Sequence, residues 1–196
     1  MSRKSIVKRK TSEVDVSVEL NIDGKGLYNI DTGIPFFDHM LEQLSKHGLF
    51  DLNIKASGDT EIDFHHTVED VGIALGEAFN EALGDKKSIK RYGSFSVPFD
   101  ETLSSSDIDQ SGRPFFIFDV DLNNGKVGEF DIELAKEFFQ SFTNNIKANI
   151  HINTKYGSNN HHIIESIFKS VARSLDIATQ IDSRSDSIPS TKGNLW

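Results

Sequence analysis

Two five-residue stretches, His65-His66-Thr67-Val68-Glu69 and His161-His162-Ile163-Ile164-Glu165, carry the same pattern, His-His-x-x-Glu, 96 positions apart. Each opens a helix-patterned, amphipathic run. On a helix, adjacent side chains diverge by roughly 100°, whereas positions three and four apart share a face. His65 and Glu69 therefore converge on a point that His66 does not face, and the same holds for His161, Glu165 and His162. Two adjacent histidines point to two metal ions rather than one, and imidazole mixed with carboxylate suits Mn, Fe, Co, Ni or Zn. A lone histidine is more often a hydrogen-bonded, metal-free side chain, but a duplicated pattern argues for ligation. Five of the seven histidines lie in the two pairs or in Asp38-His39-Met40.

The elements that must position these residues follow from periodicity. Val14, Val16, Val18, Leu20 and Ile22 alternate with polar residues up to Asp23-Gly24-Lys25-Gly26, after which residues 27–30 resume the apolar pattern, which reads as a hairpin. Residues 35–47 look helical and bring His39, Gln43 and His47 to one face. Residues 52–56 form a strand ending at Ser57-Gly58-Asp59, and a helix runs over 66–83 to Gly84. The second half repeats the order. Residues 89–98 and 114–122 suit strands separated by a Ser104-Ser105-Ser106-Asp107 loop, and Asn123-Asn124-Gly125 suits a turn. Residues 132–142 suit a helix, 149–153 a strand, 156–160 a loop and 161–175 a helix. Each half thus reads strand, strand, helix, strand, helix. His39 lies 26 residues before the first histidine pair and Glu137 lies 24 before the second, at the same point of the first helix. A pseudo-twofold would make His39 and Glu137 counterparts.

Composition narrows the class. The chain of 196 residues is long enough for one well-buried core or two halves sharing one. It has no cysteine, which removes disulfides, thiolate catalysis and thiolate zinc sites and fits a reducing compartment. A net charge of -9 disfavours nucleic acid, whose binding depends on neutralising many phosphates, while leaving a small anionic substrate possible. No apolar run is long enough to span a membrane, and the basic N-terminus leads into no signal-like segment. A cytoplasmic protein with no membrane partner is expected.

The motifs resemble those of imidazoleglycerol-phosphate dehydratase nearly end to end. The resemblance is carried by Arg9-Lys10-Thr11-Ser12-Glu13, Phe37-Asp38-His39-Met40-Leu41-Glu42-Gln43 with His47-Gly48, Asp63-Phe64-His65-His66-Thr67-Val68-Glu69-Asp70, Asp100-Glu101, Ser111-Gly112-Arg113-Pro114, the second histidine pair with Phe168-Lys169, and Ser190-Thr191-Lys192-Gly193. It implies an α+β fold of two duplicated ββαβα halves (ferredoxin-like, split β-α-β), with helices on one face of each sheet. The single domain would span residues 1–196, its halves about 6–86 and 87–182, followed by a functional tail over 183–196. It also implies a homo-oligomer of 24 subunits, with active sites between subunits and two Mn²⁺ ions in each. One ion would be held by His39, His66, His161 and Glu165, the other by His65, Glu69, Glu137 and His162. Some family members carry His where this chain has Glu137; a carboxylate remains a competent ligand for a hard ion.

The reaction so implied, in histidine biosynthesis, removes water from imidazoleglycerol phosphate to give imidazoleacetol phosphate. The hydrogen lost is not next to a carbonyl, so the imidazole itself must stabilise the charge. Two metals on the ring nitrogens would favour imidazolate and expulsion of the neighbouring hydroxyl, giving a diazafulvene-like intermediate. By resemblance Glu13 is the main acid/base, with His47 a second candidate for proton transfer or hydroxyl contact. Arg91, Arg113, Lys169 and Lys192, with Ser190 and Thr191, would clamp the phosphate, and Gln43 would contact substrate. Two other classes remain: a dinuclear metallophosphohydrolase, which would release phosphate, and a non-catalytic metal-binding assembly protein, which would turn over nothing.

Overall fold

Alternation makes the first strand the sequence announces: in Val14–Asn21, Val14, Val16, Val18 and Leu20 point into the core while Asp15 and Glu19 face out. Around it the computed structural model describes residues 3–195; Met1, Ser2 and Trp196, the last belonging to the expected tail, lie outside the described residues. The N-terminal half runs β1 (Lys4–Lys10), β2 (Val14–Asn21), β3 (Tyr28–Asp31), α1 (Pro35–Gly48), β4 (Asp51–Gly58) and α2 (His65–Leu83). The C-terminal half repeats this as β5 (Tyr92–Phe99), β6 (Thr102–Asp109), β7 (Phe115–Asp119), α3 (Leu134–Ile146), β10 (Asn149–Tyr156) and α4 (Asn160–Thr179). A short ribbon, β8 (Lys126–Val127) paired with β9 (Phe130–Asp131), precedes α3.

The two sheets have the same strand order, β1-β2-β4-β3 and β5-β6-β10-β7. Both therefore contain an antiparallel hairpin, an antiparallel central pair and a parallel edge strand reached through a helix. The α+β class and the duplication are as the sequence led us to expect, but each half carries three strands before its first helix. The parallel strands of each β-α-β unit lie side by side rather than split by a third.

Four local readings are corrected. Residues 14–30 do not form a hairpin: β2 pairs with β1 and β4, and β3 joins the far edge beside β4. The Asp51 carboxylate accepts from Lys25 N at 2.8 Å and Leu27 N at 3.1 Å, which ties the Gly-rich turn to the start of β4 and carries the chain across. The basic N-terminal cluster is a strand, β1, at the sheet edge. The serine stretch 104–107 is the middle of strand β6, and the strand expected from residue 89 begins at Tyr92, with Ile89 making only an isolated bridge to Ile181.

One hydrophobic core runs through both halves, between the inner faces of the sheets and the helices. The helices pair across the halves, α1 with α4 and α2 with α3. The second contact is close because α2 carries Gly72 and Gly76 there: a Cβ on Gly76 would sit 2.6 Å from Phe142 O. The α1–α4 pair positions the chemistry.

Candidate metal centre

Helix α1 begins at Pro35 and buries Phe37, Met40, Leu41 and Leu44, which turns His39, Gln43 and His47 toward the opposite side. Helix α4 begins just before its histidine pair. The Asn159 side chain accepts from His161 N at 2.9 Å and from His162 N at 3.4 Å, capping the helix at the residues whose direction matters. At the other pair, the Asp63 carboxylate accepts from His65 N at 2.7 Å. The histidine pairs thus occupy equivalent first turns of α2 and α4.

Where α1 meets α4, His39, His161 and Glu165 each offer a donor atom, all within 4.8 Å of one another. Glu165 Oε2 lies 3.0 Å from His161 Nε2 and 3.4 Å from His39 Nε2. Its other oxygen accepts from Lys169 Nζ at 2.7 Å. Burial pushes the Glu165 carboxyl up, but Lys169 and His161 more than offset this and hold it below the usual range. Phe36 packs edge-on against His161, with ring centroids 5.2 Å apart. On α1, His47 Nε2 donates to Gln43 Oε1 at 3.2 Å, and Gln43 Nε2 lies 3.5 Å from His39 Nδ1. Burial, then the nearby Lys169 and Arg173, lowers the pKa of His47 and favours its neutral ring.

The remaining expected ligands stand elsewhere. His66 is not with His39, His161 and Glu165: its Nδ1 donates to the Asp59 carboxylate at 3.0 Å, which raises its pKa, and lies 3.8 Å from Glu13. His162 Nδ1 donates to Glu101 Oε2 at 2.7 Å, and its ring packs on Phe99. That bond, with others from Asn159 N and Ser158 N, pushes the Glu101 carboxyl down to about 2. Among the described residues, His65, His66, Glu69, Glu137 and His162 form no second group of converging donors.

The expected phosphate residues separate into two places. Arg91, Arg113, Ser190, Thr191 and Lys192 line one cleft of about 650 Å³ between the C-terminal tail and the second sheet. Arg91 is its strut: the guanidinium donates to both oxygens of Asp109, at 2.6 and 3.0 Å, and to Pro189 O at 2.8 Å. Lys169 is not part of this lining; it sits on Glu165, with its ammonium 4.2 Å from the centre of the Phe99 ring. Asp59 and the role of Glu101 were missed by sequence reasoning. Asp59 reads there as the end of a strand turn, and Glu101 lies 61 positions from the histidine it holds.

Comparison with known proteins identifies the chain's relatives. The sequence profile of the family described as imidazoleglycerol-phosphate dehydratase matches residues 32–175. The chain is 56% identical over 195 residues to the imidazoleglycerol-phosphate dehydratase of Pelobacter propionicus, covering all of both chains. It is 57% identical over 194 residues to that of Prochlorococcus marinus strain AS9601, covering 98% of this chain and 96% of the other. The crystal structure of the Staphylococcus aureus enzyme matches 91% of this chain and all of its own, with TM-score 0.80 and 39% identity. The Pyrococcus furiosus enzyme, solved in complex with (S)-C348, matches 96% of this chain and all of its own, with TM-score 0.84 and 33% identity. With the profile spanning most of the chain and relatives matching its full length, the chain belongs to the imidazoleglycerol-phosphate dehydratase family, hydro-lyases of histidine biosynthesis.

Proposed function

We propose that this chain dehydrates imidazoleglycerol phosphate to imidazoleacetol phosphate at a dimanganese centre completed by a second copy of the chain. The observation that carries the reading is the convergence of His39, His161 and Glu165, two imidazoles and an anionic carboxylate, from two helices onto one point. That donor set fits Mn²⁺ and leaves room for a further ligand. His66, directed elsewhere in its own subunit, is the donor that a neighbouring copy would supply, and His65, Glu69, Glu137 and His162 would serve the second ion. When bound, the two ions supply Lewis acidity to the imidazole ring of the substrate, which favours its deprotonated form.

The chain's own residues do the rest. Glu13, at the exposed tip of the β1–β2 hairpin, moves the proton between substrate carbon and leaving hydroxyl: the hydroxyl on the carbon beside the ring departs as water, the next carbon loses its proton, and the enol ketonises. His47, neutral near pH 7, offers a hydrogen bond to a substrate hydroxyl, with Gln43 holding its ring. Arg113, Lys192, Ser190 and Thr191 bind the phosphate in the tail cleft, while Arg91 fixes the cleft's shape. Lys169 keeps one oxygen of Glu165 engaged so that the other faces the histidines. Binding energy from the phosphate, remote from the reacting carbons, orients them.

The test is turnover of imidazoleglycerol phosphate by metal-stripped protein before and after Mn²⁺ addition, reading ketone and free phosphate together. Mn²⁺-dependent ketone without phosphate is expected. Phosphate release would replace the reading with a phosphohydrolase, and silence in both channels would replace it with a binding role.

A further inference from the structure

Two of the three expected ligand histidines that this chain does not gather with His39, His66 and His162, are nonetheless held, and held in the same way. His66 Nδ1 lies 3.0 Å from Asp59 Oδ2, and His162 Nδ1 lies 2.7 Å from Glu101 Oε2. In both cases it is the second histidine of the pair, in the first turn of a helix, and in both the carboxylate comes from a different segment: the loop after β4 for Asp59, the β5–β6 hairpin tip for Glu101. A carboxylate at neutral pH only accepts hydrogen bonds, so each Nδ1 carries the proton. In the neutral ring the other nitrogen, Nε2, then keeps its lone pair, the form that binds a metal.

Glu101 is itself fixed. Its Oε1 accepts from Asn159 N at 2.9 Å, Ser158 N at 3.3 Å, Ser158 Oγ at 3.4 Å and Thr102 Oγ1 at 3.3 Å. The hairpin tip is thereby tied to the loop that caps α4, with Oε2 aimed at His162. Asp59 follows the last residue of β4 and has its side chain largely buried. The first histidines of the pairs have no such carboxylate on Nδ1 among the described residues; His161 instead meets Glu165 through Nε2.

We infer that Asp59 and Glu101 are positioning residues that lock His66 and His162 in the Nδ1–H tautomer and keep Nε2, which in His162 lies 3.9 Å from Asp100 Oδ2, for metal sites completed by another copy of the chain. This rests on the metal reading above. It goes further in assigning each exported histidine its own partner and in requiring the donors to be set before assembly. A merely structural carboxylate at these places would be replaceable by its amide. The lock would not be, because an amide oxygen can keep the bonds to Asn159 and Ser158 while its NH₂ turns to His162 Nδ1, demanding the opposite tautomer.

The experiment compares the metal-stripped full-length protein with Glu101→Gln and Asp59→Asn. Free Mn²⁺ is titrated by electron paramagnetic resonance, and the ¹⁵N shifts of histidine-labelled protein report the ring tautomers without metal. Each variant is expected to move one histidine from Nδ1–H to Nε2–H and to weaken Mn²⁺ binding about 10–100-fold, with an unchanged melting temperature. Unaltered tautomers, or wild-type Mn²⁺ affinity in both variants, would overturn the inference. Should the unsubstituted protein bind no Mn²⁺, the metal reading fails by itself, and the tautomer shifts still decide whether Asp59 and Glu101 set the rings. Glu101→Ala, which cannot donate to Nδ1, serves if the amide variants fold poorly; a tautomer unchanged in it would likewise overturn the lock.

Discussion

At the scale of residues, the two oxygens of Glu165 have separate duties, one taken by Lys169 and the other turned to His39 and His161. Such a division cannot be read from His-His-x-x-Glu, although the motif itself was legible because it occurs twice at equivalent places. The convergence of His39 with the second pair required α1 to meet α4, a contact between sequence positions far apart. Glu13 stands beside His66 rather than beside His39. Glu13→Gln is expected to lower kcat by at least about 100-fold while Mn²⁺ uptake and substrate affinity persist, since it removes only the proton carrier. Near-normal kcat in that variant would end its assignment. Arg113→Ala is expected to raise KM about tenfold or more by removing a guanidinium from the tail cleft; steady-state kinetics with KM unchanged would count against a phosphate role.

Among the elements, the four helices and the central strands declared themselves by apolar periodicity, while two strands did not. Strand β1 reads as a basic cluster because it is an edge strand with only Val7 fully turned inward, and lysines at an edge deter pairing with other sheets. Strand β6 reads as a loop because its inward face is Thr102, Ser104, Ser106 and Ile108. Those hydroxyls are satisfied across the core: Ser166 Oγ donates to Ser104 Oγ at 2.6 Å, and Ser106 Oγ donates to Ser174 Oγ at 2.8 Å. Small side chains let α4 lie close to its sheet, where a Cβ on Gly93 would sit 2.0 Å from Ser174 O. A polar but hydrogen-bonded interior defeats a reading based on hydrophobicity. The α2–α3 crossing is close as well. Gly76→Ala is expected to destabilise the protein by about 1–3 kcal/mol, because the new methyl meets backbone that cannot turn aside. Chemical denaturation measures it, and a loss below about 0.5 kcal/mol would mean the helices separate easily.

For the whole molecule, the halves are joined by the segment between α2 and β5, and Lys86 in it is buried with no hydrogen-bond partner for its ammonium among the described residues. Burial, then Lys147, pushes its pKa down to about 8. An unfolded lysine titrates near pH 10.4, so between about 8 and 10.4 the unfolded chain binds more protons than the native one, and this group makes stability rise with pH there. Lys86→Met should remove that rise and add about 1–3 kcal/mol near pH 7; an identical pH dependence of melting temperature in the variant would refute it. The segment after α4 also returns to this joint, Ser88 N donating to Ser187 O and Asp182 N to Ser88 O. Because α1 completes its packing on α4 and α2 on α3, neither half closes its own interior. Cut between Gly84 and Lys90, the chain should behave as two complementary fragments: each aggregation-prone or unfolded alone, the pair reassembling into one native particle on mixing, with the covalent joint dispensable and the shared helix layer the true link.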